Sequence, residues 1–309
     1  MSPTPVLRIA VVVSLVAATP SIVRAQSTAA VPDTPRWQAG LEVQGLYFDN
    51  FFQLSDDEEQ EDVEALRVAG RLAWRPWDDR PLELYGVGGV TAYGDDALDQ
   101  TLLLGTGLVW DGASDDFSAG VRLELDRPSF EVGDTFGTAD LAALDAVYSH
   151  RPTRDWELSG NAELSRLDYA EGRGRDNDFV GVGGAVRYRG WGYDLSPELG
   201  VDVGRRDAVD ADEDQEQTDV WLKLRSAPLP PLYLSLRFRH RVRDYPTDDP
   251  GSGNFGREDD RQQVALTADW KASDLATWIL YYAWEDADST NPSRVFTTQT
   301  LAVGARLTF

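Results

Sequence analysis

Apolar and polar residues alternate with a period of two through most of the chain, and this alternation limits the possible fold more than any other feature. The clearest stretch is LYLSLRFRHRVRD, residues 232–244, in which four arginines alternate with Leu236, Phe238, His240 and Val242. Neighbouring side chains of a β-strand point to opposite faces, so this stretch predicts a strand with one apolar and one cationic face. After the first 26 residues no apolar stripe at the helical period occurs, which favours an all-β fold.

Fourteen such segments can be read from the sequence. They cover residues 36–49, 62–75, 81–94, 99–110, 116–127, 138–150, 155–168, 178–190, 193–206, 217–226, 231–244, 261–271, 275–286 and 295–309. Short turns such as RPWDDRP and RGWG alternate with longer, mostly acidic loops such as SDDEEQEDVE. This alternation predicts an antiparallel up-and-down β-barrel of about 14 strands, with 12 to 16 compatible with the pattern. A propeller blade also repeats at about 40 residues, but it needs four short strands where only two long ones fit here.

The first 25 residues have the pattern of a secretory signal peptide. Arg8 precedes an apolar run from Ile9 to Ala18 that is too short to span a bilayer, and the small residue Ala25 offers a cleavage position. Residues 26–35 then read as a short linker, and residues 36–309 as a single barrel domain.

The chain is strongly acidic, with a formal net charge of −24 that becomes −26 without the signal peptide. Such acidity argues against nucleic acid as a partner. The sequence contains no cysteine, so an exported chain of this kind must depend on hydrogen bonds and packing rather than on disulfides. No cofactor is predicted, and no specific metal site either, because the acidic loops lack the glycine-punctuated spacing of a calcium-binding loop.

Tryptophans concentrate at one end of the predicted strands. Eight of the ten lie beside the short turns or at the same end of the first strand: Trp37, Trp74, Trp77, Trp110, Trp156, Trp191, Trp270 and Trp278. Strand ends in a soluble sandwich also carry some aromatic residues. A ring of indoles at one level is more typical of a membrane–water interface, because the ring is apolar while its N–H needs a polar partner.

The last segment, VFTTQTLAVGARLTF, ends on Phe309 and places Leu307, Val303 and Leu301 on the same face. In this respect the chain resembles bacterial outer-membrane β-barrel proteins of the porin-like kind, whose assembly machinery recognises a C-terminal strand of this type. The resemblance implies an even strand number, both termini in the periplasm, short periplasmic turns and longer external loops. It also implies contact with outer-membrane lipid and lipopolysaccharide. The acidic loops then have two readings: a solvated surface that prevents aggregation, or weak Ca²⁺ or Mg²⁺ sites that bridge to lipopolysaccharide.

Strand parity predicts which side chains face the interior. If Leu236 and Phe238 face lipid, the residues between them face inward, and the same rule applies to the other strands. The resulting pore-lining cations are Arg67, Arg71, Arg75, Lys223, Arg225, Arg237, Arg239, Arg241 and Arg243. The acids are Glu157, Glu163, Glu198 and Asp202, with Glu42, Glu124 and Asp269 also inward. Basic and acidic walls would set a transverse field across a water-filled pore.

The favoured function is therefore a channel for passive diffusion of small polar or anionic solutes, since the arginine fork pairs with carboxylate, sulfate or phosphate. One alternative is a non-conducting scaffold, in which the arginines pair with acids across the lumen and fill it. A barrel for assembly or for moving proteins to the surface is another. An enzyme is the least favoured, because the only histidines are His150, in a predicted turn, and His240, on the lipid-facing side.

Overall fold

The computed structural model describes residues 36–51, 53, 61–77, 81–95, 98–129, 137–170, 175–191 and 195–309, which form a closed antiparallel barrel. The strands are β1 (Trp37–Asp49), β2 (Val63–Trp74), β3 (Leu82–Tyr93), β4 (Thr101–Asp111), β5 (Asp115–Ser129), β6 (Gly137–His150), β7 (Trp156–Tyr169), β8 (Asn177–Tyr188), β9 (Ser196–Ala208), β10 (Gln215–Leu229), β11 (Leu232–Asp244), β12 (Glu258–Lys271), β13 (Ala276–Ser289) and β14 (Phe296–Thr308). The predicted signal peptide and linker lie outside the described residues. Within the described ranges, no helix combines the length and the apolar composition needed to cross a membrane.

Each strand pairs with its neighbours in sequence, and β1 pairs with β14 to close the barrel. The closing ladder runs from Gly40 opposite Thr308 to Asp49 opposite Gln299. Backbone hydrogen bonds between Ala39 and Phe309 extend it to the last residue of the chain. Closure leaves no strand edge with unpaired backbone groups, which is what a sheet needs in order to be stable in lipid.

The strands are strongly staggered, as the rows of paired residues show. Residues paired in register from strand to strand form a row around the barrel. The row that starts at Glu157, near the short-turn end of β7, passes through Lys223 of β10 and reaches Phe48, near the long-loop end of β1, so the row climbs along the barrel as it goes round. Fourteen strands about 4.8 Å apart and tilted by about 40° give a backbone diameter of about 28 Å. A barrel of this width has room for a water-filled interior between the side chains of opposite walls.

The prediction of fourteen strands is confirmed, and every strand end lies within three residues of its predicted position. Two of the differences have identifiable causes. Strand β12 begins at Glu258 because its first acidic residues continue the ladders with β11 and β13. Strand β5 continues to Ser129 past a bulge between Glu124 and Arg127, where Asp126 adopts a φ of 54°.

The outer surface of the barrel is apolar and carries the predicted tryptophan girdle. All eight girdle tryptophans are between 38% and 57% exposed, and they lie at the end of the barrel where the turns are short. Trp37 stacks on Trp74 with ring centroids 5.7 Å apart, and Trp270 pairs directly with Trp278. These rings give the short-turn end the composition of a membrane interface.

The interior is not uniformly polar. An apolar cluster lies inside the barrel at the end where the loops are long, with each side chain at most 9% exposed: Leu46, Phe48, Phe51, Val63, Ala65, Leu98 and Ala302. Phe51, in the β1–β2 loop, packs edge-on against Phe48 at 4.7 Å between centroids. The start of this loop therefore turns inward and narrows one side of the barrel.

Candidate functional site

The interior face is identified by the exposure of alternate residues. Along β10 and β11, Val220, Leu222 and Phe238 are exposed apolar residues of the outer wall. The residues between them are half-buried or buried and include the predicted pore-lining set. Parity therefore places Lys223, Arg225, Arg237, Arg239, Arg241 and Arg243 on the inward face, as the sequence predicts.

The inward face of β8 to β11 carries a net positive charge, and we call this face the cationic wall. Its charged residues are Arg187, Arg206, Lys223, Arg225, Arg237, Arg239, Arg241 and Arg243, against Glu198, Asp202 and Asp219. Eight cations against three acids leave a charge of +5 on four adjacent strands. This sign is opposite to that of the chain as a whole, so the charge is segregated by strand parity.

Asp219 of β10 neutralises part of the cationic wall. Its carboxylate accepts from Arg239 at 2.6 Å and from Arg241 at 2.8 Å, and Gln217 donates to it at 3.0 Å. The Asp219 side chain is 3% exposed, against 16% for Arg239 and 18% for Arg241. The next arginine, Arg243, donates to Gln217 at 3.1 Å and is itself buried. Two of the four β11 arginines, Arg239 and Arg241, are thus bound by one buried acid.

Two further acids of the interior also form ion pairs with neighbouring strands. Glu83 of β3 binds Arg71 at 2.6 Å and Arg75 at 3.0 Å. Glu198 of β9 binds Arg225 at 2.9 Å. The expectation that arginines meet acids across the lumen is wrong for all of these pairs, because each acid lies beside its partner.

Glu157 of β7 shows the same arrangement next to the cationic wall, with Arg189 at 2.8 Å and Arg187 at 3.6 Å. The predicted separation into one basic and one acidic wall is therefore wrong for Glu157, Glu198 and Asp202. Glu163 lies six residues further along β7, on the same face, and is paired in register with Asp145 of β6. Arg67, on β2, lies near Glu42 and Glu124.

Three inward aromatic side chains lie directly against glycines, and an arginine guanidinium lies over each ring. These contacts are so close that a Cβ on Gly200 would come within 2.3 Å of the Trp221 ring. The Arg237 guanidinium lies 5.0 Å from the centroid of the same ring. The other two sets are Gly107, Tyr85 and Arg71, with 4.8 Å between guanidinium and ring, and Gly204, Phe179 and Arg206, with 5.1 Å. Because the rings lie against the wall, they occupy little of the bore.

Lys223 and Arg237 differ from the other cations of the wall. They occupy directly opposed positions of β10 and β11. Among the described residues, neither has a carboxylate within ion-pair distance or a side-chain hydrogen-bond partner. Asp202, the acid nearest to Trp221, accepts from the indole Nε1 at 2.7 Å. Parity found these cations from sequence, but it did not single out Asp219, which also has inward parity.

Some acids of the long-loop end are exposed, as the sequence predicts, among them Glu216, Asp248 and Asp249, but others are buried and paired. Asp259 is 2% exposed and accepts two bonds from Arg257, at 2.9 and 2.8 Å, as well as bonds from Tyr245 and Ser289. Asp212 accepts from Thr247 at 2.6 Å, which ties the β9–β10 loop to the β11–β12 loop. The acidic residues 56–59 lie outside the described residues. No group of acids or histidines suited to a metal ion occurs within the described ranges.

Both histidines lie on the outer wall. His150 Nδ1 is 2.7 Å from Asp115, and Ser114 donates to that same carboxylate at 2.5 Å rather than to the imidazole. His240 Nδ1 is 3.3 Å from Asp260. At the end of the chain, Phe309 is 64% exposed, and Leu307 and Val303 are exposed on the same outer face, with Leu301 half-buried beside them.

No family model matches the sequence, and no curated protein matches it. Solved structures of similar shape are outer-membrane barrels. The outer-membrane-expressed OmpT of Vibrio cholerae is 11% identical, with coverage of 91% of this chain and 100% of that one and a TM-score of 0.51. The anion-selective porin of Comamonas acidovorans is 12% identical, with coverage of 88% and 98% and a TM-score of 0.45. The outer membrane channel DcaP of Acinetobacter baumannii is 11% identical, with coverage of 88% and 96% and a TM-score of 0.48.

The fold is therefore that of the bacterial outer-membrane β-barrel proteins, as the sequence predicts. Similarity at 11–12% identity supports a shared fold but says nothing about the solute, which has to be argued from the site.

Proposed function

We propose that this outer-membrane barrel is a channel through which small polar or anionic solutes diffuse along the cationic wall. The observation that carries the proposal is the charge of +5 on the inward face of β8 to β11, in a chain whose total charge is −24. A field of this sign inside a low-dielectric barrel raises the local concentration of anions and lowers that of cations.

Partial neutralisation suits passage better than a bare row of cations. A conducting pore needs sites that attract the solute and still release it. Asp219, Glu198 and Glu157 each hold arginines of the wall or its edge, so the field is moderate rather than extreme. Arginine also keeps its charge at any physiological pH and offers a planar fork to carboxylate, sulfate or phosphate.

The placement in the membrane is part of the proposal. The barrel lies in the outer membrane, its Trp girdle contacts lipid, and the short-turn end with both termini faces the periplasm. The C-terminal residues Leu301, Val303, Leu307 and Phe309 act as the signal for the barrel-assembly machinery. The acidic long loops face outward toward lipopolysaccharide.

Planar-bilayer recording of the purified mature chain tests the channel. We expect steady ion conductance and a reversal potential, under a KCl gradient, that indicates chloride passing more readily than potassium. A folded barrel, shown by heat-modifiable gel migration, that gives no conductance at any voltage would refute the proposal.

A sealed scaffold is the second candidate, because the apolar cluster around Phe48 and Phe51 occupies one side of the long-loop end. It predicts a folded barrel with no conductance, so the same recording separates the two. A barrel enzyme is less favoured, because both histidines lie on the lipid-facing wall, each beside an aspartate.

A further inference from the structure

We propose that Lys223 and Arg237 form the anion subsite of the channel, which binds the oxyanionic group of a solute, whether carboxylate, sulfate or phosphate. We further propose that Asp219 keeps Arg239 and Arg241 out of this role. The inference rests on the proposed channel function and says which cations of the wall set its specificity.

The first argument is the pairing of two like charges. Lys223 and Arg237 are directly opposed in register, so their Cβ atoms lie about 5 Å apart on the same face of the sheet. Like charges in this position repel each other, and no described acid lies within ion-pair distance of either. Glu198, on the other side of Lys223, is bound by Arg225. An anion between the two cations would remove this repulsion.

The second argument is that Arg237 is held in place without being neutralised. Its guanidinium lies over Trp221, and that indole is fixed by contact with Gly200 and by its bond to Asp202. The Nε of Arg237, like that of Arg239, is buried without a hydrogen-bond partner, so a solute would be bound by the terminal nitrogens of the guanidinium. A positioned guanidinium loses little freedom when it binds an oxyanion, so its donors are available at low entropic cost.

The third argument is the contrast with the next two arginines. Arg239 and Arg241 both donate to Asp219, which is almost fully buried and also accepts from Gln217. A solute would have to compete with this carboxylate for their donors. The sequence shows four equivalent arginines, whereas the structure separates one free member from two that are bound to Asp219 and one, Arg243, that is bound to Gln217.

The test compares variants that lower the charge of the interior equally. Lys223→Gln and Arg237→Gln each remove one positive charge. The triple variant Asp219→Asn/Arg239→Gln/Arg241→Gln also changes the net charge by −1 but leaves the proposed subsite intact. Potassium acetate, sulfate and phosphate are added in turn to chloride-conducting channels, and the concentration that halves the chloride current is measured.

We expect each single variant to raise that concentration about tenfold for at least one of the three oxyanions, the size of a lost charge-assisted hydrogen bond. The triple variant should change it less than about twofold. Equal effects in all variants would mean that overall charge, not this subsite, sets affinity, and would overturn the inference while leaving the channel standing. The inference would also be overturned if Lys223→Gln and Arg237→Gln left the half-inhibiting concentration of all three oxyanions unchanged.

A second measurement does not depend on conduction. Trp221 contacts Arg237, so titration of the micelle-bound protein with the same salts should change the fluorescence of Trp221. The change in total tryptophan fluorescence should therefore be absent in Trp221→Phe. Oxyanion binding without conductance would reject the channel and keep the subsite. A wild-type titration that shows no difference from Trp221→Phe would reject the subsite. Asp219→Asn, which frees two arginines, should strengthen inhibition by all three anions.

Discussion

Replacement of Asp259 should destabilise the barrel far more than replacement of its neighbour Asp260. Asp259 is 2% exposed and receives four hydrogen bonds, two of them from the buried Arg257. Removing one partner of a buried ion pair costs about 3–5 kcal/mol, because the other charge stays buried without compensation. Arg257 keeps its bond to Asn254 and its contact with Tyr245, so Asp259→Ala should cost about 3 kcal/mol, at the low end of that range.

Asp260→Ala is the matched control. Its carboxylate points to the outer wall, is 41% exposed and lies 3.3 Å from a half-exposed His240. An exposed pair of this kind contributes about 0.5 kcal/mol. The two substitutions are therefore chemically identical, adjacent in sequence and opposite in face.

The assay is urea unfolding in lipid vesicles followed by tryptophan fluorescence, with folding confirmed by heat-modifiable migration. The double variant Arg257→Leu/Asp259→Ala should recover at least about half of the loss, since it leaves no uncompensated charge. If Asp259→Ala lies within about 1 kcal/mol of Asp260→Ala, the hydrogen-bond geometry at Asp259 does not stabilise the fold and the reasoning fails.

Three further predictions follow from single positions. Burial raises the pKa of Tyr245, which lies outside the strands. Its contribution to stability is therefore complete below the unfolded pKa near 10 and is lost as the pH rises through the folded pKa. Tyr245→Phe should reduce this alkaline loss of stability in urea titrations at a series of pH values, and an unchanged dependence on pH would contradict the prediction. Gly200→Ala should destabilise the barrel by about 1–3 kcal/mol because its Cβ would overlap the Trp221 ring, whereas Gly70→Ala, with nothing nearer than 3.9 Å, should stay within about 0.5 kcal/mol in the same titration. Brominated lipids should quench a variant that retains only Trp270 and spare one that retains only Trp221, and equal quenching would mean that Trp221 faces lipid.

The sequence predicted the strands well because each strand has its own local signal. Alternation shows which residues share a face, and turn formers such as RGWG, directly after β8, mark where a strand ends. The girdle and the inward position of Arg237 follow from the same periodicity. Parity works here because a one-residue slip would move every apolar side chain off the lipid face.

Partners within a face were harder to predict. Asp219 has the correct parity, but nothing along the chain says that its carboxylate receives both Arg239 and Arg241 while Arg237 lies over Trp221 instead. That choice depends on register between strands and on rotamers, with differences of one residue deciding which cation is neutralised. The same holds for Phe51, which enters the barrel only because Leu46 and Phe48 present an apolar surface inside it.

By itself, the sequence determined that this chain forms a barrel with an apolar outside, a girdle at the short-turn end and a charged inside, because each of these properties is periodic along a strand. The tertiary structure alone decided which inward charges cancel. Ion pairing acts over a few ångströms between strands that are separated by many residues in the chain, so it depends on the closed ladder and its stagger. In this barrel that arrangement binds Arg239 and Arg241 to Asp219 and leaves Lys223 and Arg237, on the same inward face, without an acid partner among the described residues.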